Sequence, residues 1–305
     1  MEEGDALRPA LHEVLVVWSL ILVAGLAVLV TYARLPPERL YHVSESGVRG
    51  GAGRALVFAG YPVALVAVAI VAVVASRLRR SWAWAAAAAT VVLCATVAWP
   101  GVVDQDDLDA RPANALAGVG VLLALGLTAV AWAREGLGRP RPLGPLDTAR
   151  VAFAIVLLAG ALPWVAADLG FSLGGPYLGS ETVPEPGDPD QIAVHLGHHH
   201  GLDGTLLALA ALALSRAVPR VTPRAVRAAL GFYVALMLVY GLANALQDFW
   251  LEQLVKRGTI STDLPSMIHP KLSPAWGAMI GVALVIHLAV SRVQTVQQAK
   301  REAYR

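Results

Sequence analysis

Residues 55–76 read ALVFAGYPVALVAVAIVAVVAS, and the four residues that follow, 77–80, read RLRR. The first stretch has no charged side chain. It is long enough to cross a bilayer, whose apolar core of about 30 Å requires about 20 helical residues. Basic residues beside a span are retained on the cytoplasmic side. We therefore expect a transmembrane helix that ends in the cytoplasm at the arginine cluster.

The composition of the whole chain excludes a soluble fold. Hydrophobic residues make up 56% of the 305 residues and charged residues 15%, whereas soluble domains contain about 45–50% and about 25%. No apolar stretch alternates with a period of two, which argues against a β-barrel. The sequence predicts an all-α, polytopic integral membrane protein with a single transmembrane helical domain over residues 1–305. About eight spans are expected, at 14–33, 55–76, 82–103, 113–133, 149–168, 194–216, 226–248 and 273–291.

The charges of the connecting segments predict the orientation. With both termini placed in the cytoplasm, 16 of the 24 basic residues lie inside, and 15 of the 22 acidic residues and six of the eight histidines lie outside. The net charge of +2 hides this separation, and the sequence has no basic tail suited to nucleic acid. The abundance of Ala, Arg, Val and Gly is typical of GC-rich bacterial genomes, so we expect the inner (plasma) membrane of a bacterium.

The extracytoplasmic loop 169–193 is rich in Gly and Pro and contains acidic residues but no Lys or Arg. Loops of this length are usually functional lids or disordered segments, and the sequence does not distinguish the two. The single cysteine, Cys94, lies within the third predicted span. Disulfides and thiolate metal sites are therefore not expected.

A histidine cluster follows this loop, where residues 195–203 read HLGHHHGLD. Only twelve uninterrupted apolar or small residues follow, from 204 to 215, so a helix that crosses the membrane must begin near residue 194. Residues three and four apart share a helix face, which would align His195, His198, His199 and Asp203. Imidazole and carboxylate groups are ligands for zinc or another divalent metal. The alternative is a solvated histidine cluster at the membrane interface without a ligand.

A second polar stripe lies near the end of the seventh predicted span. Tyr240, Asn244, Asp248 and Glu252 recur at intervals of four, and polar groups at membrane depth are usually functional. Asp248 or Glu252 is the candidate general base. Asp168, Asp104 and His269 are expected at the same level of the membrane and are candidate additional metal ligands.

The run from His195 to His199, H-x-x-H-H, looks like one histidine box of the membrane desaturases and hydroxylases. That family needs three boxes to hold two irons, and His12, His42, His269 and His287 are isolated, so the family is excluded. Alkaline-ceramidase-like membrane hydrolases offer a looser analogy, since they combine several helices with a His and Asp zinc site. Their H-x-x-x-H in a late helix is missing here, and no residue is assigned from them.

Three functions are compatible with these residues. The first is a zinc-dependent membrane hydrolase that acts on lipid-linked substrates from the outer leaflet. The second is a non-catalytic accessory or scaffold protein that binds an envelope component. The third is a transporter or metal permease, for which the cluster would be an outer loading site. In each case the lipid bilayer is the surrounding partner, and the sequence does not indicate the oligomeric state.

Overall fold

The computed structural model describes residues 8–40, 43–99, 102, 109–173, 183, 192–268 and 271–303, with side chains up to residue 293. The described residues contain helices and no β-strand, which confirms the all-α class. The helices, in chain order, are α1 (His12–Arg34), α2 (Gly47–Leu78), α3 (Ser81–Ala98), α4 (Pro112–Glu135), α5 (Pro145–Gly160), α6 (Leu162–Asp168), α7 (His200–Leu214), α8 (Arg224–Val255) and α9 (Pro274–Ala303).

Six of these helices are long and apolar enough to cross a membrane, namely α1, α2, α3, α4, α8 and the Pro274–Val293 part of α9. The bent pair of α5 and α6 would make a seventh. The remaining predicted span, 194–216, corresponds to α7, which has only 15 residues. The membrane-spanning character is therefore supported, while the count of eight and the cytoplasmic position of both termini stay predictions.

The predicted span at 149–168 corresponds to two helices, because α5 and α6 meet at an angle of 58°. Pro163 lies in the first turn of α6, where its ring removes a backbone N–H and disfavours continuation of the preceding helix. Trp164 and Asp168 on α6 are both buried. The bend therefore directs two polar groups of α6 into the protein interior.

A helix that crosses the membrane here was expected to begin near residue 194, but α7 begins at His200. Gly197 has a φ of +107°, which interrupts a helix. Its N–H donates to the carbonyl of Ala167 at 2.9 Å, and the N–H of His198 donates to the hydroxyl of Tyr32 at 3.0 Å. These contacts hold residues 192–199 in an irregular but bonded conformation before α7.

Helices α7 and α8 pack against each other more extensively than any other described pair. They meet at Gly204 and Gly241, where a Cβ added to Gly204 would lie 2.4 Å from the Gly241 carbonyl oxygen. A Cβ on Gly241 would lie 2.5 Å from the Gly204 carbonyl oxygen. The two backbones are therefore in direct contact, and no side chain fits between them.

Two arginines, Arg77 and Arg216, are bonded to neighbouring segments at the end of the bundle where α2 ends. Arg77, at the end of α2, is fully buried and donates to the carbonyls of Pro9 (2.9 Å), Gly136 (3.2 Å) and Glu135. Arg216 pairs there with acidic groups of α1 and α5. Basic residues that the sequence places on one side of the membrane therefore meet at one end of the bundle, although the side itself is still a prediction.

The contact between α7 and α8 gives a stability prediction. Gly204→Ala should lower the thermal unfolding temperature of the detergent-purified protein, because the new methyl group forces the helices apart at a cost of about 1–3 kcal/mol. Gly126→Ala, on α4, is the matched control, since no atom lies within 4 Å of its added Cβ. We expect that variant to be unchanged or slightly more stable. Equal unfolding temperatures for the two variants would contradict the close contact.

Candidate metal centre

The histidine cluster lies at the end of the bundle opposite Arg77, where residues 192–199 meet α6, α7 and α8. His195, His199 and Glu252 each offer one ligand atom, and these three atoms lie within 4.8 Å of one another. Nδ1 of His199 lies 3.0 Å from Oε1 of Glu252. His199 and Glu252 are buried and His195 is partly buried. The fold therefore brings together a potential metal-binding group of two imidazoles and one carboxylate.

The hydrogen bonds of His199 define which nitrogen faces Glu252. Its Nε2 lies 2.9 Å from the carbonyl oxygen of His195, and because a carbonyl can only accept, Nε2 must carry the hydrogen. Nδ1 then faces the Glu252 carboxylate. A lone pair on Nδ1 would be repelled by the carboxylate oxygen unless a positive charge lies between the two atoms. A proton or a metal ion can supply that charge.

The two histidines of this group have opposite electrostatic environments. Burial lowers the pKa of His199, but the Glu252 and Asp248 carboxylates and the His195 carbonyl together outweigh burial and raise it above the usual value. Burial, with the neighbouring His199 and Lys256, holds the pKa of His195 well below its usual range. His195 is therefore neutral, and a neutral imidazole keeps a lone pair on one ring nitrogen, whereas a metal must displace the proton next to His199.

Glu252 is fixed from two sides. It lies in a π-helical turn at the end of α8, Leu251–Val255, and such turns often occur at functional sites. Its Oε2 accepts a hydrogen bond from Trp164 Nε1 at 2.7 Å. The Trp164 ring packs over Gly201, where an added Cβ would lie 2.5 Å from the ring. The bend before α6 and the glycine of α7 therefore both contribute to the position of the carboxylate.

Asp248 lies one helical turn before Glu252 on α8. Its Oδ2 accepts the N–H of Gly201 at 2.6 Å, which places a negative charge at the positive end of α7. The same oxygen lies 3.9 Å from Nδ1 of His199. Asp248 is therefore next to the proposed ligand group, and its side chain is 14% exposed, compared with 3% for Glu252.

His198 belongs to a separate cluster of charges. Its Nδ1–H donates to Asp168 at 2.9 Å, and its Nε2–H donates to Asp203. Burial lowers the pKa of His198, but Asp203 and Asp168 outweigh it and raise the pKa to about 10. At neutral pH the ring is a cation with both nitrogens protonated, so it has no lone pair to offer a metal.

The sequence-predicted ligands thus fall into two groups. His195 and His199 lie with Glu252, which the sequence indicated as a candidate base, while His198, Asp203 and Asp168 form the second cluster. Asp104 and His269 lie outside the described residues. Sequence reasoning missed Trp164, because no helical spacing connects it to Glu252. The contact between Trp164 and Glu252 depends on the bend before α6. Pro163 was the feature of the sequence that could have indicated this bend.

Comparisons of the chain with protein-family models, curated proteins and solved structures gave no match. The function is therefore argued from the geometry of the site.

The second cluster gives a prediction that distinguishes structural from ligand residues. Asp203→Ala should destabilise the purified protein by about 3–5 kcal/mol, because it leaves the His198 cation buried beside fewer negative charges. Thermal unfolding in detergent measures the effect, and Asp263→Ala, in an exposed segment, is the matched control. An Asp203→Ala protein as stable as that control would show that the His198 ion pair contributes little.

Proposed function

We propose that the protein is a membrane hydrolase whose divalent metal ion, zinc or a similar ion, is held by His195, His199 and Glu252. The observation that carries this proposal is the convergence of their three ligand atoms within 4.8 Å. Two imidazole nitrogens and one carboxylate oxygen are a ligand set of catalytic zinc sites, which keep a fourth position for water. A zinc ion in such a site lowers the pKa of the bound water to about 7.

The surroundings of the three ligands support a metal site. Ligating histidines commonly donate their second ring N–H to a carbonyl or carboxylate, and ligating carboxylates are themselves hydrogen-bonded. His199 donates to the His195 carbonyl, and Glu252 accepts from Trp164. The parallel His195 and His199 rings, with centroids 4.0 Å apart, would tilt on binding so that both lone pairs point at one ion.

Asp248 is the proposed general base. It lies beside the ligand group without belonging to it, and its side chain is more exposed than that of Glu252. In this role the carboxylate accepts a proton from the water that attacks the substrate. With the predicted orientation the centre faces the outer leaflet, and lipid-linked molecules are the proposed substrates.

Transport is less well supported by the residues next to the site. A permease would need polar groups that continue from the centre toward the middle of the membrane. The hydroxyls of Tyr61 and Tyr240 instead both donate to the Ile268 carbonyl, and the Asn244 amide donates to the Tyr240 carbonyl. These groups are bonded to the backbone, which leaves them poorly suited to pass an ion.

Metal binding is the first test. Protein purified in detergent without a histidine tag and supplied with zinc should contain about one zinc per chain by mass spectrometry of metals. The double variant His195→Ala, His199→Ala should lose that metal, because only Glu252 of the three ligands remains. His287→Ala, a histidine of α9 packed against Phe232, is the matched control and should keep it.

Two results would contradict the proposed centre. One is the absence of bound metal in the folded parent protein after zinc is added, which would favour the accessory or scaffold function. The other is equal zinc content in the double variant and the His287→Ala control, which would place the metal elsewhere.

Hydrolysis is tested separately from metal binding. Asp248→Asn should keep the metal but lower the hydrolysis of p-nitrophenyl ester substrates in micelles by about 10²–10⁴-fold, the usual contribution of a general base. Asp263→Asn serves as the control. Full activity in Asp248→Asn would exclude Asp248 as the base, and uptake assays in proteoliposomes would show whether metal crosses the membrane.

A further inference from the structure

A cavity with polar lining residues lies at the start of α2, outside the metal centre. Its volume is about 180 Å³. It is formed by the beginning of α2 and the segments around residues 43–45 and 109–110. The polar and glycine residues that line it are Glu45, Arg49, Gly50, Gly53, Arg54 and Asp109.

Arg54 is the unusual member of this lining. It is only 5% exposed, yet it makes no hydrogen bond or ion pair with any residue that the structure describes, and its Nε is buried without a partner. Its guanidinium carbon lies 5.7 Å from the centroid of the Tyr32 ring. A guanidinium stays charged at any physiological pH, and a buried charge without a counter-ion is costly. A bound anion would remove this cost.

The two carboxylates in the lining are already engaged. Glu45 pairs with Arg49 at 3.3 Å. Asp109 accepts hydrogen bonds from the backbone N–H of Ser44, at 3.3 Å, and from its hydroxyl. Neither carboxylate pairs with Arg54, so the guanidinium is left as the charge available to a ligand.

The backbone of α2 adds to the positive potential. Its N-cap residue, Ser46, makes no side-chain cap, and the first N–H groups of a helix attract anions. Gly50 and Gly53 have no side chains to fill the cavity. The nearest atom to a Cβ added at Gly53 is the Ala110 Cβ, at 3.9 Å, so a side chain there would have room to extend.

We infer that this cavity binds a phosphate group, with the buried Arg54 guanidinium as its main ligand. Arginine holds phosphate through two parallel hydrogen bonds, and Arg54 has no competing acceptor among the described residues. The phosphate comes from a phospholipid headgroup or from free phosphate, which present the same chemistry. This inference does not depend on the metal centre.

The test measures binding of two probes to the full-length protein in detergent. One probe is inorganic phosphate, and the other is dihexanoyl phosphatidic acid, a soluble lipid with the same group. EDTA is present throughout, so that phosphate cannot bind through a metal ion, and sodium chloride at equal ionic strength is the blank. Saturable binding of at least one probe is expected. Tighter binding of the lipid by about tenfold or more would identify a headgroup, and equal binding would identify free phosphate.

Variants then locate the binding. Arg54→Gln should weaken binding by at least about tenfold, because it removes the charge that pairs with phosphate, and Arg54→Lys should restore part of it. Gly53→Leu keeps Arg54 but fills the cavity, and should also abolish binding. Arg49→Gln, which changes an exposed arginine already paired with Glu45, is the control and should bind within about threefold of the parent.

The inference is overturned if neither probe binds the parent protein above the chloride blank. It is also overturned if Gly53→Leu, folded as judged by its unfolding temperature, binds both probes as the parent does. That second criterion stays decisive if Arg54→Gln fails to fold. Because EDTA removes the metal, loss of the metal centre would not affect either result.

Discussion

The backbone contact between Gly204 and Gly241 sets the position of the polar end of the bundle. Helices α7 and α8 are antiparallel, so residues on the N-terminal side of Gly204 in α7 lie next to residues on the C-terminal side of Gly241 in α8. Gly201 accordingly meets Asp248, and His199 meets Glu252. The contact with the Trp164 ring at Gly201 then adds α6 to the same group. A change in the spacing of these helices would move His199 and Glu252 relative to each other.

The two buried histidines His198 and His199 each lie beside carboxylates. A buried ion is tolerated when an opposite charge and hydrogen bonds replace its water. His198 has Asp168 and Asp203, while His199 has Glu252 with Asp248 beyond it. The two histidines adjacent in sequence therefore differ in chemistry. His198 has both nitrogens committed to carboxylates, whereas His199 shares one position with Glu252 that a proton or a metal ion can occupy.

The sequence predicted the helical class and the presence of several long apolar helices, because the hydropathy and length of an apolar stretch indicate them. It also indicated that Asp248 and Glu252 face one site, since a spacing of four keeps side chains on one helix face. It did not predict the start of α7. The positive φ of Gly197 and the hydrogen bond from the His198 N–H to the Tyr32 hydroxyl depend on contacts with other helices. The helical periodicity of the sequence contains no information about such contacts. The separation of His198 from His199 follows from the same irregular segment.

Tyr32 lies between the proposed metal centre and the proposed phosphate cavity. Its ring lies against the Arg54 guanidinium, and its hydroxyl accepts the N–H of His198, next to the proposed ligand His199. Its side chain is almost fully buried, so its ring has little freedom to move independently of either neighbour. An anion that binds Arg54 would therefore act on a side chain that also holds the histidine segment. Any coupling between the two sites would be reciprocal. If an anion bound at Arg54 changes the affinity for the metal by some factor, the bound metal changes the affinity for the anion by the same factor.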